Sequence, residues 1–131
     1  MSISDGNSFL VSAIIPTHNR SKMLNRSINS VLNQTYSAVE CIIIDDGSTD
    51  NTGDIVKAMK DDRLIYYRHK YNRGASASRN TGIRNASGEL IAFLDDDDEW
   101  LPTKLEKQVA MLRNLPRKIG MVYCWMDYFN E

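Results

Sequence analysis

The sequence has little of several residue types, and each shortage excludes a class of protein. It contains two cysteines, Cys41 and Cys124, each within an apolar, strand-like run, which predicts reduced core residues and no disulfide framework. No apolar run approaches the roughly 18–20 residues of a transmembrane helix. Residues 1–8 lack the basic start and the apolar stretch of a signal peptide. These absences predict a cytoplasmic protein with no transmembrane segment in this chain.

An excess of charge of either sign is also missing. Sixteen Lys and Arg residues against seventeen Asp and Glu residues give a formal net charge of −1. This balance gives no electrostatic reason to expect nucleic acid as a partner. The length of 131 residues suits one domain over 1–131, and 42% apolar with 25% charged residues is globular usage.

Three common catalytic or nucleotide-binding motifs are absent from the sequence. Without Gly-x-Gly-x-x-Gly after the first apolar run, a dinucleotide-binding fold is disfavoured. Without Gly-x-x-x-x-Gly-Lys-Ser/Thr the chain is not a P-loop protein. Without Gly-x-Ser-x-Gly it is not a usual α/β hydrolase.

Short apolar runs alternate with helical patterns along the chain. The runs are typical of strands buried on both faces, and they cover 10–15, 39–44, 64–67, 90–94 and 119–125. Apolar residues at helical spacing fill the intervals, in 21–33, 49–60, 74–86 and from Pro102 to Pro116. This order predicts an α/β/α sandwich of three layers, with a mostly parallel sheet and right-handed crossovers.

Polar side chains follow each predicted strand, at the sheet edge where α/β proteins bind ligands. Two of these stretches are acidic, Asp45-Asp46 and 95–99. Like charges so close together repel, and a divalent cation such as Mg²⁺, shared with a phosphorylated ligand, would relieve that repulsion. The alternative for each cluster is structural: turn chemistry at 46–48 with Ser48 or Asp50 capping the next helix, and helix-capping acids before Pro102.

Small residues open the third predicted helix, in 72–80, where Arg79 could reach a phosphate or offset the acidic edge. The alternative is that they only pack that helix onto the sheet. His18 and His69 have no metal-ligand spacing, so we expect His18 in a structural loop and His69 exposed. Four aromatic residues are expected in the core: Tyr66, Tyr67, Tyr123 and Trp125.

Four segments together resemble family 2 glycosyltransferases, in order and at the expected spacing. They are 13–20 (AIIPTHNR), 43–50 (IIDDGSTD), 72–80 (NRGASASRN) and 93–98 (FLDDDD), and the resemblance covers roughly residues 10–115. It implies a GT-A fold, a nucleoside-diphosphate sugar donor and a Mg²⁺ or Mn²⁺ ion.

The resemblance also implies roles for individual residues. Pro16 and Thr17 would line the base and ribose pocket, Asp46, with Asp45 beside it, would accept a hydrogen bond from the base, and Arg79 would lie near the diphosphate. Asp95 or Asp96 would contact the ribose or sugar, and Asp97 would ligate the metal. Donor-binding residues are thus expected among the following: Pro16, Thr17, Asn19, Arg20, Asp45, Asp46, Arg79, Asp95 and Asp96.

Inverting members of that family carry a catalytic carboxylate well downstream of the Asp-x-Asp motif. Here only Asp127 and Glu131 follow the fifth predicted strand, and both come too soon after it. The catalytic residue is therefore unassigned, and we expect a truncated GT-A domain whose acceptor-binding part is largely missing. A polysaccharide or lipid-linked acceptor, a place at the inner face of the membrane and self-association through an exposed apolar edge are further expectations.

Three other functions are weighed against an inverting glycosyltransferase. A non-catalytic nucleotide-sugar-binding fragment is the main alternative, because the chain is short. A nucleotidyltransferase would need a Gly-rich loop and a Lys after the first strand, where the chain has 16–20 (PTHNR). A receiver-like signalling module would need acids after the first strand, and here they follow the second and fourth.

Overall fold

The computed structural model describes residues 8–128, in which strands and helices alternate. The elements are β1 (Val11–Thr17), α1 (Ser21–Leu32), β2 (Val39–Asp45), α2 (Thr52–Ala58), β3 (Leu64–Arg68), α3 (Ala75–Asn85), β4 (Leu90–Phe93) and α4 (Lys104–Asn114). The predicted alternation is confirmed through α4. Within the described residues, no helix is both long and apolar enough to cross a lipid bilayer.

The four strands form one parallel sheet in the order β3-β2-β1-β4. The central strands β1 and β2 pair from Val11↔Val39 to Thr17↔Asp45. Every residue of β2 is buried, as its continuous apolar run predicts for a strand covered on both faces. The parallel sheet places the carboxyl ends of all four strands at one edge.

Helices cover both faces of the sheet, which confirms the three-layer sandwich. On one face, Ala13 and Ile15 of β1 share a core with Leu24 of α1 and Leu105 of α4. Side chains alternate along a strand, so Ile14 points to the opposite face, where it joins Ile42 and Ile44.

Helix α3 lies unusually close to the sheet on that opposite face. A Cβ atom at Gly82 would collide with the side chain of Ile14, so glycine is what permits this approach. This close packing belongs to Gly82, which lies outside the stretch 72–80 singled out in the sequence, and within that stretch only Ser78 is buried.

The predicted fifth strand, 119–125, is wrong. Residues 119–128 have no regular secondary structure, and Tyr123 and Trp125 are 89% and 99% exposed. Within the described residues no strand pairs with this run, and strand-forming side chains need a sheet face to cover them. The core roles expected for Cys124, Tyr123 and Trp125 fail for the same reason.

The other expectations for cysteine and aromatic residues have mixed outcomes. Cys41 is a fully buried free thiol, as predicted, and burial raises its pKa well above the ordinary value. Tyr66 packs partly buried against the core. The core position expected for Tyr67 is wrong, because this residue lies on the edge strand β3 and is 36% exposed.

Candidate functional site

A cavity of about 420 Å³ lies at the carboxyl ends of β1, β2 and β4. It brings together seven of the predicted donor residues and the predicted metal ligand, with five residues that were not predicted. The lining consists of Pro16, Thr17, His18, Arg20, Asp46, Asn72, Gly74, Ala75, Ser78, Arg79, Asp95, Asp96 and Asp97.

The cavity opens because β1 extends beyond its neighbour β4. The pairing of β1 with β4 ends at Ile14↔Phe93, whereas the pairing with β2 continues to Thr17. Pro16 has no N–H to donate and is tolerated here, since one side of the strand has no partner beyond this point. The buried Thr17 hydroxyl lies close enough to the Asp96 carboxylate to lower its pKa but makes no hydrogen bond of good geometry in the described structure, so a bound ligand could supply one.

Asp46 is held at the end of β2 by three donors. One carboxylate oxygen lies 2.7 Å from Nδ1 of His69, and the backbone N–H groups of Arg73 and Gly74 donate to the carboxylate at 2.9 and 2.7 Å. Burial works against the charged form, but these three bonds outweigh it and lower the pKa of Asp46. The group is therefore an ionised acceptor with limited freedom to turn.

His69 is buried, so the expectation that it is exposed is wrong. The loop 69–74 folds over the end of β2, and the close packing of Gly47 against the backbone of Tyr71 and Asn72 brings the two loops together. His18 lies in the loop after β1, as expected, and its Nδ1 is 2.8 Å from the Asp46 carbonyl oxygen. It also lines the cavity.

Asn19 and Asp45 are outside the lining of the cavity. The Asn19 side-chain oxygen accepts from the backbone N–H of Thr49 at 2.7 Å. Asp45 is completely buried and accepts from the Ser48 backbone N–H at 2.8 Å and from the Tyr66 hydroxyl at 2.5 Å. Both side chains fix loops around the site. Their predicted contacts with the nucleotide-sugar donor stay predictions.

The acidic run after β4 faces two arginines across the cavity. Arg20 Nη1 lies 2.6 Å from Asp97 Oδ2 and 3.4 Å from Asp96 Oδ1, and Arg79 Nη2 lies 2.8 Å from Asp95 Oδ1. Burial raises the pKa of Asp96, against the lowering influence of Thr17 and Arg20, and the neighbouring carboxylates add to the rise. The site thus holds a surplus of negative charge that the arginines only partly balance.

Helix α1 fixes the backbone of this acidic run. The Ser27 hydroxyl donates to the Asp98 carbonyl oxygen at 2.6 Å, and Arg26 Nη2 donates to the Asp97 carbonyl oxygen at 2.9 Å. The Trp100 backbone N–H donates to the Ser30 hydroxyl at 3.1 Å. These contacts join residues about 70 positions apart, so no local signal in the sequence announces them.

The donor set of the cavity fits a hard divalent cation. The acidic run offers only carboxylate oxygens, from Asp95, Asp96 and Asp97. A cation beside Asp96 would offset the free-energy cost of burying its charged form. Over residues 8–128, no three acidic, His or Cys side chains form a group that could hold a metal alone. Such a site suits Mg²⁺ or Mn²⁺ that keeps waters and takes further oxygens from a substrate.

The sheet order, the helices on both faces and a site beyond the strand ends are features of nucleotide-binding α/β folds, and the likeness to the solved structures below identifies this one as a GT-A glycosyltransferase fold. The sequence profile of glycosyl transferase family 2 matches residues 12–130. The chain belongs to this family.

Two curated relatives come from Escherichia coli. The chain is 42% identical over 123 residues to the UDP-Glc:alpha-D-GlcNAc-diphosphoundecaprenol beta-1,3-glucosyltransferase WfgD, covering 94% of this chain and 48% of WfgD. It is 44% identical over 103 residues to WfaP, which bears the same enzyme name, covering 79% of this chain and 41% of WfaP. The chain spans about half or less of the length of these relatives.

Two solved structures share the fold. The mannosyltransferase PcManGT from Pyrobaculum calidifontis, in complex with GDP-Man and Mn²⁺, matches with a TM-score of 0.76 at 26% identity, over 83% of this chain and 34% of PcManGT. TarS from S. aureus, in complex with UDP-GlcNAc, matches with a TM-score of 0.75 at 30% identity, over 79% of this chain and 31% of TarS.

Proposed function

We propose that this chain is the donor-binding part of an inverting glycosyltransferase that takes a sugar from a nucleoside-diphosphate donor. The observation that carries the proposal is the single cavity at the carboxyl ends of β1, β2 and β4. It combines an ionised acceptor, Asp46, two arginines and three carboxylates in one space of about 420 Å³. A nucleotide sugar needs each of these groups: acceptors for its base and hydroxyls, and positive charge for its diphosphate.

The base and ribose are assigned to the end of the cavity near β1 and β2. Three donors make four contacts with Asp46, since the Arg73 N–H reaches both oxygens, at 2.9 and 3.0 Å, and a base N–H would take over one half of this shared bond. The Thr17 hydroxyl and the apolar ring of Pro16 complete this end. Asp95 or Asp96 is assigned to the ribose or sugar hydroxyls.

The diphosphate is assigned to the end of the cavity with the acidic run. Arg79 lines this end, and its planar guanidinium suits phosphate oxygens. Asp97 is the proposed ligand of Mg²⁺ or Mn²⁺. When bound, the cation would neutralise charge on the diphosphate leaving group. Arg20, which pairs with Asp97, would also be free to turn toward the donor once the cation balances that carboxylate.

The acceptor is proposed to be a polysaccharide or a lipid-linked sugar. WfgD and WfaP are named for transfer to a diphosphoundecaprenol-linked acceptor, and this chain is more than 40% identical to each of them over the matched residues. Action on such a substrate would place the protein in the cytoplasm at the inner face of the membrane. The catalytic base is not assigned to a residue of this chain.

Calorimetry with UDP, GDP and dTDP, each with and without Mn²⁺, tests donor binding. We expect one diphosphate to bind in the presence of Mn²⁺ and to lose about tenfold or more in affinity in Asp97→Asn. Asp98→Asn is the matched control, because the exposed Asp98 side chain belongs to the same acidic run but does not line the cavity. Equal binding by wild type and Asp97→Asn, or no binding of any diphosphate, would contradict the assignment.

A transfer assay separates the two functions that share this site. Residues 1–131 are incubated with the nucleotide sugar that binds and with a diphosphoundecaprenol-linked acceptor, and the product is followed by mass spectrometry. Transfer with an inverted anomeric centre supports the enzyme. Donor binding without transfer supports the alternative, a non-catalytic nucleotide-sugar-binding fragment.

A further inference from the structure

His69 connects the cavity to helix α3 from a position just after β3. Its ring is buried, with Nδ1 2.7 Å from Asp46 Oδ1 and Nε2 3.0 Å from the Thr81 hydroxyl. Asp46 lines the cavity, whereas neither His69 nor Thr81 does. Both ring nitrogens are therefore used, and one of them fixes a group that a ligand would meet.

The chemistry of the two partners determines where the proton of His69 lies. An ionised carboxylate only accepts hydrogen bonds, so Nδ1 of His69 must donate to Asp46. A neutral ring then has a bare Nε2, which needs a donor. The Thr81 hydroxyl is within reach of Nε2 and also of the Ala77 carbonyl oxygen, at 3.1 Å, so its proton can serve either acceptor.

The remaining donors to Asp46 come from a segment without regular secondary structure. Arg73 and Gly74 present their backbone N–H groups from the loop before α3, and Gly74 has a left-handed φ of 93°. Such a segment has no ladder of hydrogen bonds to keep it in place. His69, which is tied at its other nitrogen to α3, is the rigid member of the group.

We propose that His69 is a positioning residue for the nucleotide-binding end of the cavity. It holds the Asp46 carboxylate in the one orientation that also accepts from Arg73 and Gly74, and so presents this carboxylate to a nucleobase N–H. This inference rests on the proposed function, since the benefit of positioning is tighter binding of a nucleoside diphosphate.

Two substitutions separate positioning from general packing. In His69→Asn the side-chain amide nitrogen lies near the position of Nδ1 and can still donate to Asp46. In His69→Gln the amide lies nearer the position of Nε2, so it can bond Thr81 but leaves Asp46 without this donor. Lys70→Gln changes the adjacent exposed side chain and is the matched control.

Affinity for the diphosphate that binds wild type is the first measurement. We expect His69→Gln to weaken binding about tenfold, because a buried acceptor loses a charge-assisted bond. We expect His69→Asn to stay within about threefold of wild type and Lys70→Gln to be unchanged. Equal affinity in His69→Gln and wild type, or equal losses in the two folded His69 variants, would overturn the proposal.

Nuclear magnetic resonance of the ligand-free protein is the second measurement, and it does not depend on nucleotide binding. We expect a protonated Nδ1 in the ¹⁵N spectrum of His69, and displaced amide signals of Arg73 and Gly74 in His69→Gln but not in His69→Asn. If wild type binds no diphosphate, the proposed function fails, and the amide signals alone decide whether His69 positions Asp46. Unmoved amide signals in His69→Gln would refute the proposal.

Substitutions at Thr81 keep the proposal testable where a His69 variant does not fold. Thr81 is only partly buried on α3, so Thr81→Val and Thr81→Ser are mild changes. Thr81→Val removes the partner of Nε2 and is expected to weaken nucleotide binding about threefold and to broaden the Arg73 and Gly74 amide signals. Thr81→Ser keeps the hydroxyl and should match wild type, and equal behaviour of the two variants would count against the proposal.

Discussion

The Arg20 guanidinium lies 2.6 Å from the Asp97 carboxylate, across the cavity between the loop after β1 and the acidic run after β4. The charge of Asp96 contributes most to the raised pKa of Arg20, followed by the hydrogen bond that Arg20 donates to Asp97. Arg20 therefore supplies from within the chain part of the positive charge that the acidic run needs. A divalent cation at Asp97 would also supply positive charge, so Arg20 and the cation can each balance the acidic run.

Arg20→Ala is expected to make the stability of the protein more dependent on a divalent cation. Both partners of the ion pair are nearly half exposed, so the loss in the free energy of unfolding without metal is no more than about 1 kcal/mol. Excess Mn²⁺ should restore most of it, because the cation replaces the lost charge. Urea unfolding with Mn²⁺ and with EDTA measures this dependence, with Arg20→Lys as the control. A loss of stability that Mn²⁺ leaves unchanged would show that the cation does not replace the charge of Arg20.

Asp50 is expected to make the protein sensitive to acid. One oxygen accepts from the hydroxyl and the backbone N–H of Thr52 at the start of α2, and the other accepts from the Ser21 N–H at the start of α1. The bond from the Thr52 hydroxyl is the main cause that lowers the pKa of Asp50 to about 2, against the opposing effect of burial.

The sign of the pH dependence follows from this lowered pKa. The unfolded pKa is about 3.9, so the stabilisation by Asp50 is complete above about pH 5 and is lost as the pH falls toward 2. We expect Asp50→Asn to lose about 1 kcal/mol at pH 6 and little at pH 2. Urea unfolding between pH 2 and 6 tests this, and parallel curves for the variant and wild type would contradict it.

Local patterns in the sequence predict the sheet and the convergence of the site. The buried runs of β1 and β2 and the polar residues after each strand suffice to place Pro16, Asp46 and Asp95 around one cavity, because parallel strands end at one edge. The sequence does not predict the burial of His69, because its neighbours Arg68 and Lys70 are polar. The His69 ring is covered only because the loop 69–74 folds over the end of β2.

The strand predicted at 119–125 is wrong because a local signal is present but, among the described residues, its long-range partner is not. The run from Ile119 to Trp125 has strong strand propensity, but a strand exists only with a partner, and propensity carries no information on whether one is at hand. Of the two candidate caps of the second helix, Ser48 and Asp50, it is Asp50 that accepts from the Thr52 N–H, and it also accepts from the Ser21 N–H at the distant start of α1. In both cases the structure depends on contacts between residues far apart in the sequence, which local patterns do not predict.

Gly47→Ala is expected to destabilise the fold by more than about 1 kcal/mol. Gly47 has a φ of 71°, and a Cβ atom there would lie 2.7 Å from the Tyr71 carbonyl carbon. Gly74→Ala should cost less, since Gly74 has a φ of 93° but open space around it, and Gly120→Ala should be neutral. Thermal unfolding of the three variants checks this order, and a Gly47→Ala protein as stable as Gly120→Ala would show that the two loops do not pack closely.

Trp125 and Trp100 are expected to respond oppositely to a polar fluorescence quencher such as acrylamide. Trp125 is 99% exposed, whereas Trp100 is 8% exposed and has the Lys104 ammonium 4.3 Å from its ring. Trp100→Phe therefore leaves a strongly quenched protein, and Trp125→Phe leaves a protected one. We expect this difference in quenching in dilute protein, where the exposed Trp125 ring is open to the quencher. Protection of Trp125 that increases with protein concentration would show that self-association covers the apolar run at 119–125, whereas protection at all concentrations would contradict its exposure.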